Sequence, residues 1–304
     1  MIPKDLKQYT SFFKEYTELR AQENRSNQIA IINGDIVTNI KRSNSGISAR
    51  VNKDGYWGFA SNPLMQDNEV QKVIERATGN AGFLSSRGKK KDIKLPARNG
   101  NFQNDFSTHN SLQSQSQIID FIMKLDEYIK TNCKELSSRV IALKTLDMEK
   151  SLLTSEGSTS YSLIPKSFIY IGMTITNDGA PIELWGNFGG LGQFEDVFKL
   201  PEGLFGEIDE QYKHLQAKAY GIYAKAGIQE VILDANITGV LAHEAIGHTT
   251  EADLVLGGSV AGDLLVDTVD LAWLGEAAYG LLTDPGTGAL SQKPFSMPIF
   301  GRAE

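Results

Sequence analysis

Gln28-Ile29-Ala30-Ile31-Ile32-Asn33-Gly34-Asp35-Ile36-Val37-Thr38-Asn39-Ile40 decides the fold class. Two β-prone runs flank Asn-Gly, the dipeptide that supplies consecutive left-handed backbone positions and so closes a tight hairpin. Working outward, a second hairpin is expected where Ile47–Val51 and Tyr56–Ala60 flank Asp54-Gly55. On the N-terminal side, Leu6, Tyr9, Phe12, Phe13, Tyr16 and Leu19 recur at spacings of three and four, which predicts an amphipathic helix over residues 4–22. On the other side, Val70, Val73, Ile74 and Ala77 predict a helix over 69–80. The N-terminal part therefore reads as helix, four strands, helix.

Residues 85–116 turn polar and are expected to run as a long surface loop, with Lys89-Lys90-Lys91 solvated. Ile118, Ile119, Ile122, Leu125 and Ile129 then mark a helix. After it the apolar period changes to two. Arg139–Leu146, Ser158–Ile164, Phe168–Thr176 and Ile182–Trp185 read as antiparallel strands, with turns at Glu156-Gly157 and Asn177-Asp178-Gly179. The glycine-rich run Gly186–Gly192 lacks the Lys-Ser/Thr of a phosphate-binding loop, and a turn between sheet and helix is expected there. Asp209–Ala226 predicts a helix ended by Gly227, and Glu230–Leu233 a short strand. Strands and helices cluster without βαβ alternation, so the expected class is α+β. An N-terminal α+β domain over 1–230 would lead into a second portion, 231–304, opened by a motif-bearing helix.

Composition removes several function classes. A net charge of −7 argues against a general nucleic-acid binder, because neutralising phosphates needs a basic excess. No apolar run approaches the ~20 residues that span a bilayer. The single Cys133 rules out an internal disulfide and any multi-cysteine metal site. A cytoplasmic setting is the expectation these features favour together.

The chemistry concentrates in His243-Glu244-Ala245-Ile246-Gly247-His248, which holds two of the four histidines. Neutral imidazole is a common zinc ligand, and a neighbouring glutamate can act as general base on a metal-activated water. The preceding segment, Ile237–Ala242, is apolar and helix-compatible, with Asn236 or Thr238 available to cap it. A buried helix with one polar face is expected. Histidines four apart on an α-helix lie about 40° apart around the axis, whereas histidines five apart lie about 140° apart. A regular helix would not aim His243 and His248 at one ion. The helix must loosen through a wide turn or end near Gly247, where glycine makes such a departure cheap. The plain alternative stays open: His243 and Glu244 cap or satisfy core polar groups, and His248 is exposed by chance. Glu251 and Asp253 follow as candidates for a ligand, for orienting an imidazole, or for a solvated acidic turn.

Gly239-Val240-Leu241-Ala242-His243-Glu244-Ala245-Ile246-Gly247-His248-Thr249-Thr250-Glu251-Ala252-Asp253 resembles the signature of the TldD/PmbA family, cytoplasmic proteins described as modulators of DNA gyrase and as peptide-processing metalloproteases. The Asn33-Gly34 hairpin, Asp54-Gly55-Tyr56-Trp57-Gly58-Phe59-Ala60 and the Ser155-Glu156-Gly157 turn are similar to the family's N-terminal part. The resemblance implies a zinc-dependent peptidase acting on small or unfolded peptides. It makes His243 and His248 metal ligands and Glu244 the catalytic base. It also implies a dimer, either of like chains or with a related subunit. The family's third ligand is a C-terminal cysteine, and no cysteine follows His248. Beyond about Ser259 the sequence departs from the family, as a truncated, frameshifted or divergent chain would. Weak zinc binding and little peptidase activity are therefore expected of these 304 residues. The other expectation is a non-catalytic, peptide-binding or scaffold subunit of such a dimer.

Overall fold

The computed structural model of the chain describes residues 2–89, 99–222, 225–248 and 295–299. It divides into two compact units, Met1–Gly221 and Ile222–Glu304. The class is α+β, built on a large and mostly antiparallel sheet.

In the first unit, β1 (Tyr16–Ile32) and β2 (Asp35–Lys53) form the Asn33-Gly34 hairpin. Asn33 and Gly34 sit at φ 52° and 98°, the positive values that this turn demands. The second hairpin joins β2 to β3 (Tyr56–Asn62) through Asp54 and Gly55, at φ 52° and 83°. The four short strands expected here are three, because β2 runs unbroken between the two turns.

The helix expected over 4–22 is absent. Lys7–Phe12 makes a short 3-10 turn, and the chain is extended from Tyr16 onward. Thr17, Leu19 and Ala21 are buried while Glu18, Arg20 and Gln22 are not, so period two governs this stretch. The helical spacing came from joining apolar residues of the turn to those of the strand.

α1 (Asp67–Arg87) buries Val70, Val73, Ile74, Ala77 and Ala81. The polar stretch after it is not all loop, since β4 (Asn101–Asp105) pairs parallel to a later strand. α2 (Gln115–Asn132) starts at a capping box in which Ser114 and Gln117 satisfy each other's backbone N–H groups. β5 (Leu136–Thr154), β6 (Thr159–Asn177) and β7 (Ala180–Leu191) complete the meander. The sheet order is β3-β2-β1-β5-β6-β4, with β7 also on β6.

β6 is one strand where two were expected. It passes through Pro165, which cannot donate to a ladder. The break between its two outer partners falls there: β4 pairs as far as Leu163 and β7 from Lys166. The run Gly186–Leu191, expected as a turn, is the end of β7. A Cβ on Gly189 would collide with the Ser167 carbonyl of β6, and one on Gly186 with the Gln211 side chain. These glycines serve close packing, not phosphate binding.

After a short turn of helix, α3 (Phe194–Val197), comes α4 (Phe205–Ala219). α4 ends before the expected Ala226, and Gly227 opens a strand instead of closing a helix. Two apolar clusters form on this sheet. One sets Ile29, Ile31, Ile141, Leu143, Ile169 and Ile171 against α2 and α4. The other sets Leu19, Ala21, Ile47, Val51 and Leu153 against α1. Each fully buried Ile or Leu contributes about 1.5–3 kcal/mol. The strands serve both clusters because at 17 and 19 residues β1 and β5 are several times longer than a typical strand.

In the second unit, β8 (Gly227–Val231) pairs antiparallel with β9 (Phe295–Ile299), and α5 (Ala235–Ala242) leads into the motif. No helix among the described residues is long and apolar enough to cross a membrane.

Candidate metal centre

The motif begins with a cap. Asp234, extended at φ −73° and ψ 172°, accepts a 2.8 Å hydrogen bond from the Ile237 N–H. It holds the position expected of Asn236 or Thr238, which lie inside the helix. The signal was present: an Asp three residues before the first N–H needing a partner is a standard helix start. The helix is not buried as expected. No residue of α5 is buried, and Ile237, Val240 and Leu241 are exposed.

α-helical bonding holds up to His243, whose N–H reaches the Gly239 and Val240 carbonyls. There the helix widens. His243–Gly247 forms a π-helical turn, and the His248 N–H donates to the His243 carbonyl five residues back. This bond stacks residue i+5 over residue i, much as an α-helix stacks i+4. The obstacle posed by the five-residue spacing is thereby removed.

The imidazole rings of His243 and His248 lie 4.6 Å apart between centroids, at an interplanar angle of 72°. His248 Nε2 is 3.7 Å from Glu244 Oε2. One ligand atom from each of His243, Glu244 and His248 lies within 4.8 Å of the others, and all three residues are exposed. Zinc takes nitrogen ligands at about 2.0–2.1 Å, so the His243 and His248 nitrogens must close in from this spacing to share one ion, with the Glu244 carboxylate beside it. Two imidazoles and a carboxylate are a donor set that suits zinc. Gly247 lies against the cluster, and a Cβ built on it would meet His243 Nδ1 at 3.3 Å. Glu251 and Asp253 lie outside the described residues, so their expected supporting roles have no geometry.

Cys133, the chain's single cysteine, belongs to the first unit. It is buried beside the end of α2. Burial, with the Asp209 carboxylate adding to it, pushes its thiol up to about 11. A group held so firmly as a thiol is a poor metal ligand at neutral pH.

A second polar cluster escaped the sequence analysis. Arg25 reaches Glu149 at 2.6 Å and Glu23 at 3.1 Å, and the Tyr161 hydroxyl donates to Glu149 at 3.1 Å. Burial and the Glu149 hydrogen bond push the Tyr161 hydroxyl up to about 12. Arg25 also lines a cleft of about 500 Å³ with Asp147, Gln193 and Glu195. Gln193 donates to Asp147, and Glu195 accepts the Gln113 N–H. These groups satisfy one another, which is how buried charges in a sheet are made tolerable.

Comparison with known proteins agrees with this architecture. Residues 17–81, the two hairpins and most of α1, match the family model described as PmbA/TldA metallopeptidase domain 1. That match, the curated relatives and the shared fold support a PmbA/TldD-family protein. A metalloprotease of Methanocaldococcus jannaschii is 26% identical over 291 residues, covering 88% of this chain and 60% of its own. A zinc metalloprotease TldD homolog of Saccharolobus solfataricus is 26% identical over 222 residues, covering 71% of this chain and 46% of its own. The chain thus spans about half the length of the curated relatives it matches. Two crystal structures share the fold. One is a Bacteroides thetaiotaomicron protein designated a candidate modulator of DNA gyrase, with TM-score 0.62 and 13% identity, covering 81% of this chain and 58% of its own. The other is TldE from Thermococcus kodakarensis, with TM-score 0.53 and 15% identity, covering 84% and 57%.

Proposed function

We propose that this chain carries the metal-binding element of a zinc-dependent peptidase acting on small or unfolded peptides. The observation behind this reading is the widened turn that draws His243, Glu244 and His248 within 4.8 Å of one another. Metalloproteases among its relatives support the same chemistry. His243 and His248 are the proposed ligands. A zinc ion held there supplies Lewis acidity and lowers the pKa of a water toward neutrality. Glu244 takes up the proton released as the peptide bond is attacked and delivers it to the leaving amine. Assembly as a dimer, of like chains or with a related subunit, completes the proposal.

A second reading has an observation of its own. With Glu244 acting as base, the described residues supply two ligands, and catalytic zinc sites use three protein ligands. A peptide-binding subunit without catalysis answers to that count. Metal analysis and a peptide-cleavage assay on wild type and Glu244→Ala separate the two. The peptidase reading expects Glu244→Ala to keep the zinc affinity of wild type, weak as two ligands make it, and to lose the little cleavage wild type shows. Cleavage undiminished in Glu244→Ala removes the catalytic role assigned to that residue. Stoichiometric peptide binding without cleavage in either protein supports the second reading.

A further inference from the structure

We propose that Gly247 is a positioning residue of this centre, holding the His243 imidazole in place by lacking a side chain. The proposal rests on the metal-binding reading of His243 and His248 and adds a residue that binds no metal itself. Its starting point is local. The His243 ring lies over the turn that it opens, with Nδ1 3.3 Å from where a Gly247 Cβ would stand, and the ring's Cγ at 3.8 Å and Cε1 at 3.9 Å. Several ring atoms therefore face this one position. A Cβ contact of 3.3 Å is tighter than nine in ten real ones, so the ring or the backbone gives by a few tenths of an ångström.

Yielding in either way damages the pair. If the ring turns away, its far edge moves more than the edge beside Gly247, and the 4.6 Å ring-to-ring arrangement with His248 opens. If the backbone yields, the change acts on the π-turn itself. That turn is what stacks His248 over His243. Replacing glycine by alanine also favours regular α-helix, whose geometry carries residue i+5 away from residue i. Metal sites need their donors held within roughly 0.5 Å and 10–20° of the productive geometry, so a ring swung aside or a turn rewound past that margin is felt as lost affinity.

Gly239 provides an internal control. It lies in α5, and a Cβ there meets no atom within 4 Å. Gly239→Ala changes helix propensity as Gly247→Ala does and leaves the His243 ring untouched. The experiment is Co²⁺ titration of the full chain, read by the visible absorption of the bound ion, with helix content and melting temperature of each variant checked alongside. The expected result is at least a tenfold loss of Co²⁺ affinity in Gly247→Ala, a comparable or greater loss in His243→Ala, and no change in Gly239→Ala. Gly247→Ala binding as wild type while His243→Ala fails overturns the role of Gly247 and leaves the metal reading standing. Equal losses in both glycine variants overturn it too, because helix stiffness and not ring crowding would then be the cause. Wild-type affinity in His243→Ala, or no Co²⁺ binding by wild type, overturns both.

Discussion

Arg139 of β5 clasps Asp126 of α2 through two hydrogen bonds, Nε to Oδ1 at 2.8 Å and Nη2 to Oδ2 at 3.0 Å, directly behind the Asn33-Gly34 turn. A Cβ on Gly34 would stand 3.5 Å from that guanidinium and 3.6 Å from the carboxylate. The backbone of Arg139 engages the same turn, donating to Asn33 Oδ1 at 2.9 Å and accepting the Asn33 N–H at 3.0 Å. One residue thus ties the first hairpin, the central strand and the helix over them.

Because both side chains are largely buried, at 16% and 5% exposure, removing one partner strands the other. Asp126→Ala is expected to cost about 3–5 kcal/mol, the usual penalty for an uncompensated buried charge. The double variant Asp126→Leu with Arg139→Met is expected to recover most of that loss. Urea denaturation of the three proteins decides it. A double variant no more stable than Asp126→Ala would mean that the charges themselves, not their mutual neutralisation, hold the hairpin.

Gly58 is constrained where α1 packs on the sheet. A Cβ there would overlap the Ala77 carbonyl and the Ala81 N–H, so α1 rests directly on the β3 backbone. Backbone on both sides leaves nothing flexible to move. Gly58→Ala is expected to destabilise by about 1–3 kcal/mol or more, the range for overpacking a close contact. Gly79→Ala, on the same helix with no atom within 4 Å, is expected to be neutral or slightly stabilising. Thermal denaturation of the pair tests whether close approach, and not glycine as such, is what matters.

The hairpins were legible because their signals are local. Asn33-Gly34 and Asp54-Gly55 dictate left-handed backbone whatever surrounds them. α1 and α2 were legible for the same reason, each writing its buried face at helical spacing. What failed was long-range. Tyr16 and Leu19 fit a helix with Leu6 and Phe12 by spacing alone, and pairing with Leu153 and its neighbours overrides that spacing. The strands expected over Ser158–Ile164 and Phe168–Thr176 are one, because the change of outer partner from β4 to β7 falls at Pro165 and no local pattern announces it. At the motif, the need for a wide turn follows from counting residues around a helix, whereas Asp234, Asn236 and Thr238 are all capping residues and spacing alone does not choose among them. The Arg25–Glu149–Tyr161 cluster joins three strands across more than a hundred residues, and no local pattern announces it.

Asp147 offers a test by pH. Burial raises its carboxyl above the ordinary value, opposed by the Gln193 hydrogen bond and by Arg25. A carboxyl with a raised folded-state pKa holds its proton more tightly folded than unfolded. It therefore costs nothing below the ordinary Asp pKa of about 3.9, and destabilises increasingly as pH climbs through the raised value. Asp147→Asn keeps an oxygen to accept from Gln193 and has no charge to desolvate. It is expected to be more stable than wild type at pH 7, with the difference shrinking to nothing near pH 3.5. Melting curves across that range check the sign. A variant less stable than wild type at pH 7 would show that the attraction to Arg25, 4.0 Å away, outweighs burial.

Cys133 provides the opposite end of the scale. Its thiol, pushed to about 11 by burial and by Asp209, stays protonated in the folded protein long after an exposed cysteine has ionised. A raised pKa on a group that is neutral when protonated means that its contribution to stability is full below about pH 8. That contribution is lost as pH rises through the ordinary value toward 11. Reactivity follows from the same fact, since the thiolate is the nucleophile. At pH 8 a disulfide reagent is expected to label Cys133 at least a hundredfold more slowly in native protein than in urea-unfolded protein. Raising the pH to 9.5 should speed native labelling far more than it speeds the unfolded reaction. Fast labelling at pH 8 without loss of structure would mean that the thiol beside α2 is open to solvent, and that the first unit does not hold its cysteine as a buried core residue.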